Sequence, residues 1–431
     1  MTQTMDAGIW MPTRRNLIGG LLALGAASAL PRRAWALDAD FPAVRAMMQG
    51  YIDAGQISGA VCAFGLDPAK PPLYVKAGAI AFGSKSAADE NTLWRCYSMT
   101  KPVTGMAAMA LIGEGKTSLD TPISEYLPAF ARMMVQKSPD TLDGVPAKNP
   151  ITIRHLLTHT AGFGYDIITT GPLQKAYIEQ GITPAALSRT PPPGFERNTA
   201  PSLTEFADRL AKLPLIAEPG TLWSYSVSLD LLGRVIEVIE GKPFGDVLQQ
   251  RFFDPLGMGD SGFQVPPEKV SRLSSNYFLI GGKPVPIDPG PTSIFLDKPV
   301  FVFGGGGLVS SAHDYDRFLA MLANGGTLDG HQYIAPDAAK LGMSNLLPPD
   351  AKTKGTLIDG EGFGAGGRVS IHGPATGNYG WGGAAGTVAW ADPVRKLRGS
   401  GFAQYMPQDA IGFQREVGTA FVKDLLAAPA A

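Results

Sequence analysis

Apolar and polar positions change their spacing several times along the chain, and each change marks an element. Residues 41–54 carry apolar positions at helical spacing and predict a helix. "GAVCAFGL" (59–66) and "PLYVKAGAIAFG" (72–83) instead place small and β-branched residues at a two-residue period. They predict two strands joined by a proline-containing turn. "TLWRCY" (92–97) is a short extended segment. Between residues 120 and 300 the pattern breaks into short helical runs separated by proline-rich loops such as "TPPPGFERN" and "QVPPEKV". One run there, "LDLLGRVIEVIEG", predicts a helix closed by Gly241. "SSAHDYDRFLAMLANGG" predicts another, with Ser311 able to cap its start and Asn324-Gly325 ending it. After residue 355 glycines and β-branched residues return in "GFGAGGRVSIHG", "YGWGGAAGTVAWADP" and "GSGFAQYM", which predict hairpin strands. Residues 411–427 predict a terminal helix.

This order suggests an α/β (α+β) fold in which the N- and C-terminal segments share one antiparallel sheet flanked by helices. The expected division is a sheet domain built from 37–119 and 301–431, with a mostly helical domain, 120–300, inserted between them. A cleft is expected where the two regions meet. The 431 residues are 45% apolar, enough for a large core, and the net charge of −1 comes without a dense basic run beyond the first 35 residues. Nucleic acid and acidic membrane surfaces are therefore poor candidates as partners.

Residues 1–36 read as an export signal. Arg14 and Arg15 precede an apolar run, Leu17 to Leu30, and the small-x-small site Ala34-Trp35-Ala36 follows. The run is shorter than the roughly 20 residues a spanning helix needs. The paired arginines resemble a bacterial twin-arginine signal. The expectation is a periplasmic or secreted protein with no stable membrane span once processed; an uncleaved anchor is the alternative. Cys62 and Cys96 fit no metal spacing. They read as buried thiols, with a disulfide as the alternative in an oxidising compartment.

The candidate chemistry begins in "RCYSMTKPVTGMAAMALIGEG" (95–115). If a helix starts at or just after Ser98, then Ser98 and Lys101 share a face. Pro102 is harmless in the first turn, where N–H groups lack intrahelical partners. Val103, Met106, Ala107, Ala110 and Leu111 form a buried stripe behind them. A serine at the positive end of a buried helix is favoured as a developing alkoxide, and a lysine there is disfavoured in its charged form. Both effects help a nucleophile. A lone Ser-x-x-Lys is expected roughly once by chance in such a chain. Its bland reading is a capping serine beside an exposed lysine.

Further stretches change that balance. "SMTK", "ISGAVCAF", "ITIRHLLTHTAGF", "TLWSYSVSLDLLGRVIE", "RFFDPLGMGDSGF", "GGGGLVSSAHDYDRFLAML" and "YGWGGAAGT" occur in this order. Together they resemble the serine β-lactamase and penicillin-recognising superfamily, specifically class C β-lactamases and family VIII carboxylesterases, over nearly the whole chain after the signal. The resemblance implies a β-lactamase/transpeptidase-like fold, Ser98 as nucleophile, Tyr225 as general base and Lys101 as the cation that holds its phenolate. A free phenol titrates near 10, so such a base needs a cation in contact. The resemblance also implies an oxyanion hole from the backbone N–H groups of Ser98 and Ala384, with Trp381, Gly382 and Gly383 on the strand edging the substrate. Trp223, Phe163, Tyr165 and Trp381 are candidates for an apolar pocket, or ordinary core. No metal or organic cofactor is implied.

Two departures favour a neutral ester over an anionic lactam. Val227 stands where β-lactamases carry the amide of Tyr-x-Asn, and Trp381 replaces the lysine of Lys-Thr-Gly. The chain has no Gly-x-Ser-x-Gly elbow. "HLLTH" lacks the glutamate of His-Glu-x-x-His, so His155 and His159 read as structural. Three readings remain: a serine carboxylesterase, with transacylation if an alcohol replaces water; a β-lactamase or D-amino-acid peptidase on the same machinery; and a non-catalytic exported binding protein.

Overall fold

The strands predicted near the N-terminus and those predicted after residue 355 meet in one sheet. A computed structural model describes residues 41–183, 188–191 and 198–427. The expected export segment 1–36 and most of "TPPPGFERN" lie outside the described residues. Among the described residues the helices are α1 (Pro42–Asp53), α2 (Thr100–Gly113), α3 (Ile153–Leu157), α4 (Gly171–Gln180), α5 (Leu203–Leu210), α6 (Ser228–Glu240), α7 (Phe244–Leu248), α8 (Ala312–Ala323), α9 (Pro336–Gly342) and α10 (Phe413–Ala427). The early strands are β1 (Gly59–Gly65), β2 (Leu73–Gly78), β3 (Trp94–Arg95), β4 (Met134–Gln136), β5 (Gly144–Pro146), β6 (Asn276–Ile280), β7 (Lys283–Asp288) and β8 (Val309–Ser310). The later ones are β9 (Thr327–Leu328), β10 (His331–Gln332), β11 (Gly362–Phe363), β12 (Arg368–Val369), β13 (Tyr379–Gly383), β14 (Thr387–Asp392), β15 (Leu397–Phe402) and β16 (Tyr405–Met406).

The main sheet has the order β11-β12-β13-β14-β15-β1-β2. Every neighbouring pair in it is antiparallel. It is the expected antiparallel sheet flanked by helices. Strand β1 is buried at every position, so it reads as small and apolar on both faces. On one face α1 and α10 pack over Phe64 and Trp390, with Phe64 and Phe421 stacked at 4.3 Å. Such burial is worth about 1.5–3 kcal/mol per large side chain. No side chain of its own caps α1; instead the Asp424 carboxylate of α10 accepts from the N–H groups of Ala43 (2.8 Å) and Val44 (3.0 Å). On the other face α8 is tied to β15 by the buried Arg398–Asp316 pair, 2.8 and 2.9 Å.

The predicted helices α1, α6, α8 and α10 form close to the expected bounds. Gly241 ends α6 at φ +65, a conformation that costs glycine nothing. Ser311 caps α8 by accepting from Asp314 N–H. Strand β2 stops at Gly78, five residues early, because the chain turns there at φ +73. The stretch 120–300 holds α3 to α7 but also two hairpins, β4–β5 and β6–β7, that its proline-rich pattern concealed. Strand β6 is extended by β16, paired in parallel from the far end of the chain. Cys62 and Cys96 are free buried thiols. No helix of the described residues is long and apolar enough to cross a membrane.

Candidate active site

The stretch carrying Ser98 is fixed from both sides before it reaches α2. Strand β3 pairs with β8, Trp94 opposite Ser310 and Arg95 opposite Val309. The buried Arg95 guanidinium donates to Asp288 Oδ2 (2.6 Å), Ser274 O (2.6 Å), Asp288 O (2.9 Å) and Ser293 Oγ (3.0 Å). That satisfies its charge inside the protein and locks β3 to the β6–β7 hairpin. Tyr97 then adopts φ +43, a left-handed conformation rare for a bulky residue and costing about 1–3 kcal/mol. Residues 97–99 make one 3-10 turn, and α2 begins at Thr100.

Ser98 makes no capping bond, and Lys101 is fully buried, so the capping-serine, exposed-lysine alternative is excluded. The expected buried stripe on α2 is in fact burial all round, from Thr100 to Leu111. The helix runs through the centre of the molecule, so it has no solvent face to leave polar.

Tyr225 arrives from a segment strapped down by backbone bonds. Trp223 N–H donates to Lys352 O (3.0 Å), Ser224 N–H to His159 O (2.9 Å) and Val227 N–H to Gly164 O (3.2 Å). Its hydroxyl donates to Ser98 Oγ at 2.6 Å. Lys101 Nζ donates to Ser98 Oγ (3.2 Å) and to Gly305 O (2.5 Å), and it sits 4.6 Å from the centre of the Tyr225 ring. Three groups separated by up to 127 positions thus meet at one oxygen.

Around Tyr225 stand Tyr165 (5.5 Å between ring centres), Trp381 (5.8 Å), Trp223 (6.3 Å) and His159 (4.9 Å). Phe363 packs on Trp381 at 5.4 Å. Phe163 is not among them; it is buried in the core against Phe130. Val227 is buried at the start of α6. Trp381 and Gly382 on β13 are half-buried. Gly383 lies so close to the turn carrying Ser98 that a Cβ there would stand 2.2 Å from Cys96 O. Only glycine allows that approach. Ala384 follows directly, just beyond the point where β13 packs against the turn of residues 97–99. Gln414 of α10 donates to Gly383 O (2.6 Å) and Thr387 O (2.7 Å), holding that end in place.

Burial keeps two ionisable groups beside the site, His159 and Tyr165, neutral. His159 is pushed well below its ordinary value by burial and then by the nearby Lys101 charge. Burial, with Asp230 and Tyr225 adding to it, pushes the Tyr165 phenol well above its own. His159 Nδ1 shares a hydrogen bond with Ser226 Oγ (2.9 Å), while His155 Nδ1 accepts from Thr152 N–H (3.2 Å) in a capping box at the start of α3. A cavity of about 780 Å³ lies elsewhere, between α5, α7 and residues 259–266 and 298–302, and none of Ser98, Lys101 or Tyr225 lines it. His159, Asp230, Gly305, Phe363 and Gln414 were not singled out for this site by the sequence. The "GGGG" run at 304–307 and the aspartate in "SLDLLG" were the available signals.

The Beta-lactamase family model matches residues 44–416. An uncharacterized protein of Mycobacterium tuberculosis is 33% identical over 372 residues, covering 82% of this chain and 87% of its own length. A lovastatin esterase of Penicillium rubens is 31% identical over 396 residues, covering 83% of this chain and 91% of its own. Among solved structures, EstCE1, a hydrolase with promiscuous acyltransferase activity, is similar with a TM-score of 0.71 at 28% identity, covering 88% of this chain and 97% of that one. With its sheet, its motif order and its serine, lysine and tyrosine in one cluster, this chain belongs to the Beta-lactamase family.

Proposed function

We propose that the protein is a serine hydrolase of neutral carboxylic esters, working through an acyl-Ser98 intermediate. The observation that carries this reading is the meeting of Tyr225 Oη (2.6 Å) and Lys101 Nζ (3.2 Å) at Ser98 Oγ. In the reactive form this bond is reversed: Ser98 donates to a Tyr225 phenolate, with the Lys101 ammonium beside it. The Ser98 proton passes to Tyr225 as Oγ attacks the ester carbonyl, and the carbonyl electron pair moves onto oxygen. Ser98 N–H and Ala384 N–H receive that oxyanion. Collapse restores the carbonyl and expels the alcohol, which takes its proton from Tyr225. Water then gives a proton to Tyr225 as its oxygen attacks the acyl carbonyl; collapse breaks the acyl–Oγ bond, and Tyr225 returns the proton to Ser98. Ester and water become acid and alcohol. A positioned base contributes about 10²–10⁴ in rate, and each oxyanion donor about 10²–10³.

The aromatic wall around Tyr225 and the absence of a cation at Trp381 support an uncharged substrate. The names of the relatives, a lovastatin esterase and a hydrolase with promiscuous acyltransferase activity, support an ester and an alcohol as alternative acyl acceptor. The direct test sets a chromogenic short-chain ester beside a chromogenic cephalosporin, with Ser98→Ala as control. Ester turnover that Ser98→Ala abolishes is expected; lactam turnover without ester turnover would overturn the reading. Residues 1–36 support export to the periplasm or beyond. Replacing Arg14 and Arg15 by lysine is then expected to retain the protein in the cytoplasm, and unchanged export would count against a twin-arginine route.

A further inference from the structure

One buried acid beside this site has no part in the steps above. Asp230 stands in the first turn of α6, fully enclosed. Its Oδ1 accepts from Gly305 N–H at 2.8 Å. Its Oδ2 is buried with no hydrogen-bond partner among the described residues. A half-satisfied carboxylate costs several kcal/mol in such a place unless a positive charge compensates it. The cation that acts on it is Lys101. Gly305 touches both groups: its N–H faces Asp230, and its carbonyl accepts from Lys101 Nζ. No carboxylate lies within ion-pair distance of Lys101 Nζ among the described residues.

The Gly305 link is built tightly. A Cβ on Gly305 would stand 2.6 Å from Asp230 Oδ2 and 3.0 Å from Oδ1. Thr104 Oγ1 donates to Gly304 O (2.7 Å) and Leu308 N–H to Thr100 Oγ1 (3.0 Å), so the loop is laid along α2. The ionisable groups around this pair are Lys101 on α2, Tyr225 before α6, Tyr165 and Asp166 after α3, and His159. Burial keeps Tyr165 and His159 neutral. Burial also raises the Asp230 carboxyl, and Lys101 and the Gly305 N–H oppose that rise.

We propose that Asp230 is a positioning residue for Lys101: through Gly305 it fixes the carbonyl that holds Nζ, and its negative charge favours the ammonium form of Lys101 beside Tyr225. The carboxylate is linked to the ammonium and not to the phenol, so it favours the ammonium–phenolate form in which Tyr225 is the base. This inference rests on the acyl-serine reading of the site.

Asp230→Asn keeps an acceptor for Gly305 N–H and removes the charge. Removing a nearby anion makes every proton of the pair easier to lose. Both limbs of the pH profile are therefore expected to move toward acid by roughly one pH unit, with kcat lowered about tenfold. Gly305→Ala, which pushes the carboxylate away, is expected to lower kcat as well. A purely structural aspartate would change the melting temperature and leave the limbs where they are. The same profiles are read from the rate at which a fluorophosphonate labels Ser98, followed by intact mass. There the P–F bond breaks, an O–P bond forms, fluoride leaves and the Ser98 proton goes to the base. An acid-ward shift in folded Asp230→Asn supports the proposal. Limbs that coincide with those of the wild type overturn it while leaving the acyl-serine reading intact. Labelling without ester turnover overturns the ester reading alone, and the labelling profiles still decide the role of Asp230. A wild-type Ser98 that is never labelled overturns both.

Discussion

Gly383→Ala isolates the contact between β13 and the nucleophile. The added Cβ would stand 2.2 Å from Cys96 O and 2.3 Å from Thr387 Oγ1. A carbon and an oxygen settle at about 3.3–3.6 Å, so the two segments must part by about 1 Å. Neither side yields easily. Cys96 O accepts from Met99 N–H (3.0 Å) and Thr387 Oγ1 (3.2 Å) inside the turn that carries Ser98. Gly383 O is held by Gln414 (2.6 Å). Displacing reacting groups by 1 Å can cost about 10²-fold, the same order as losing an oxyanion donor. The expected result is a kcat for a chromogenic ester lowered about 100-fold, a smaller change in KM and a loss of about 1–3 kcal/mol in stability from overpacking. Gly382→Ala is the control. Its nearest neighbours are the end of the Gln414 side chain and Thr387 O, both at 3.3 Å. It should keep kcat within about tenfold of wild type. A folded Gly383→Ala with wild-type kcat, or a Gly382→Ala equally damaged, would refute the close approach as the basis of the site.

Two other outcomes follow from the buried groups. Lys101→Met removes the ammonium that touches Ser98 Oγ and should lower kcat/KM by about 10²–10⁴. Its melting temperature should fall, because the buried Asp230 carboxylate and the Gly305 carbonyl lose the cation that compensates them; in the folded variant, activity within tenfold of wild type would contradict the assigned role. The second outcome concerns pH. Burial pushes His155 down to about 4 and His159 well below its ordinary value. The unfolded chain takes up these protons near pH 6.5 while the folded one does not. The stability they contribute is therefore complete above about pH 6.5 and is lost as pH falls below it, by about 1.4 kcal/mol per unit for each histidine. For His155 that loss ends near 4. Denaturant titrations at about pH 7 and about pH 5.5 should show this slope reduced in His159→Asn, a residue suited to the φ of +56 there. Equal slopes would contradict a neutral buried His159.

Elements with local signals were legible in the sequence. Ser311 and Gly241 mark their helix ends through bonds and dihedrals that depend on neighbours a few residues away. The burial of Lys101 was not legible, because it depends on α6, α9 and β13 closing over α2 from distant parts of the chain. Strand β7 was missed because Pro284 and Pro286 argue against a strand; they are tolerated since β7 is the edge of its small sheet. Its partner arrangement depends on β16, about 120 residues later. At the site, Ser98, Lys101 and Tyr225 were identifiable only through motif order. Gly305 and Gln414 act through a carbonyl and an amide whose partners no local pattern reveals.

The central claim is that Ser98 carries the acyl group. Rapid acid quenching of the protein with excess chromogenic ester, followed by peptide mass spectrometry, measures this directly. The account predicts an acyl mass on the peptide containing Ser98, absent from Ser98→Ala. Turnover with the label on another residue, or turnover undiminished in Ser98→Ala, would contradict it.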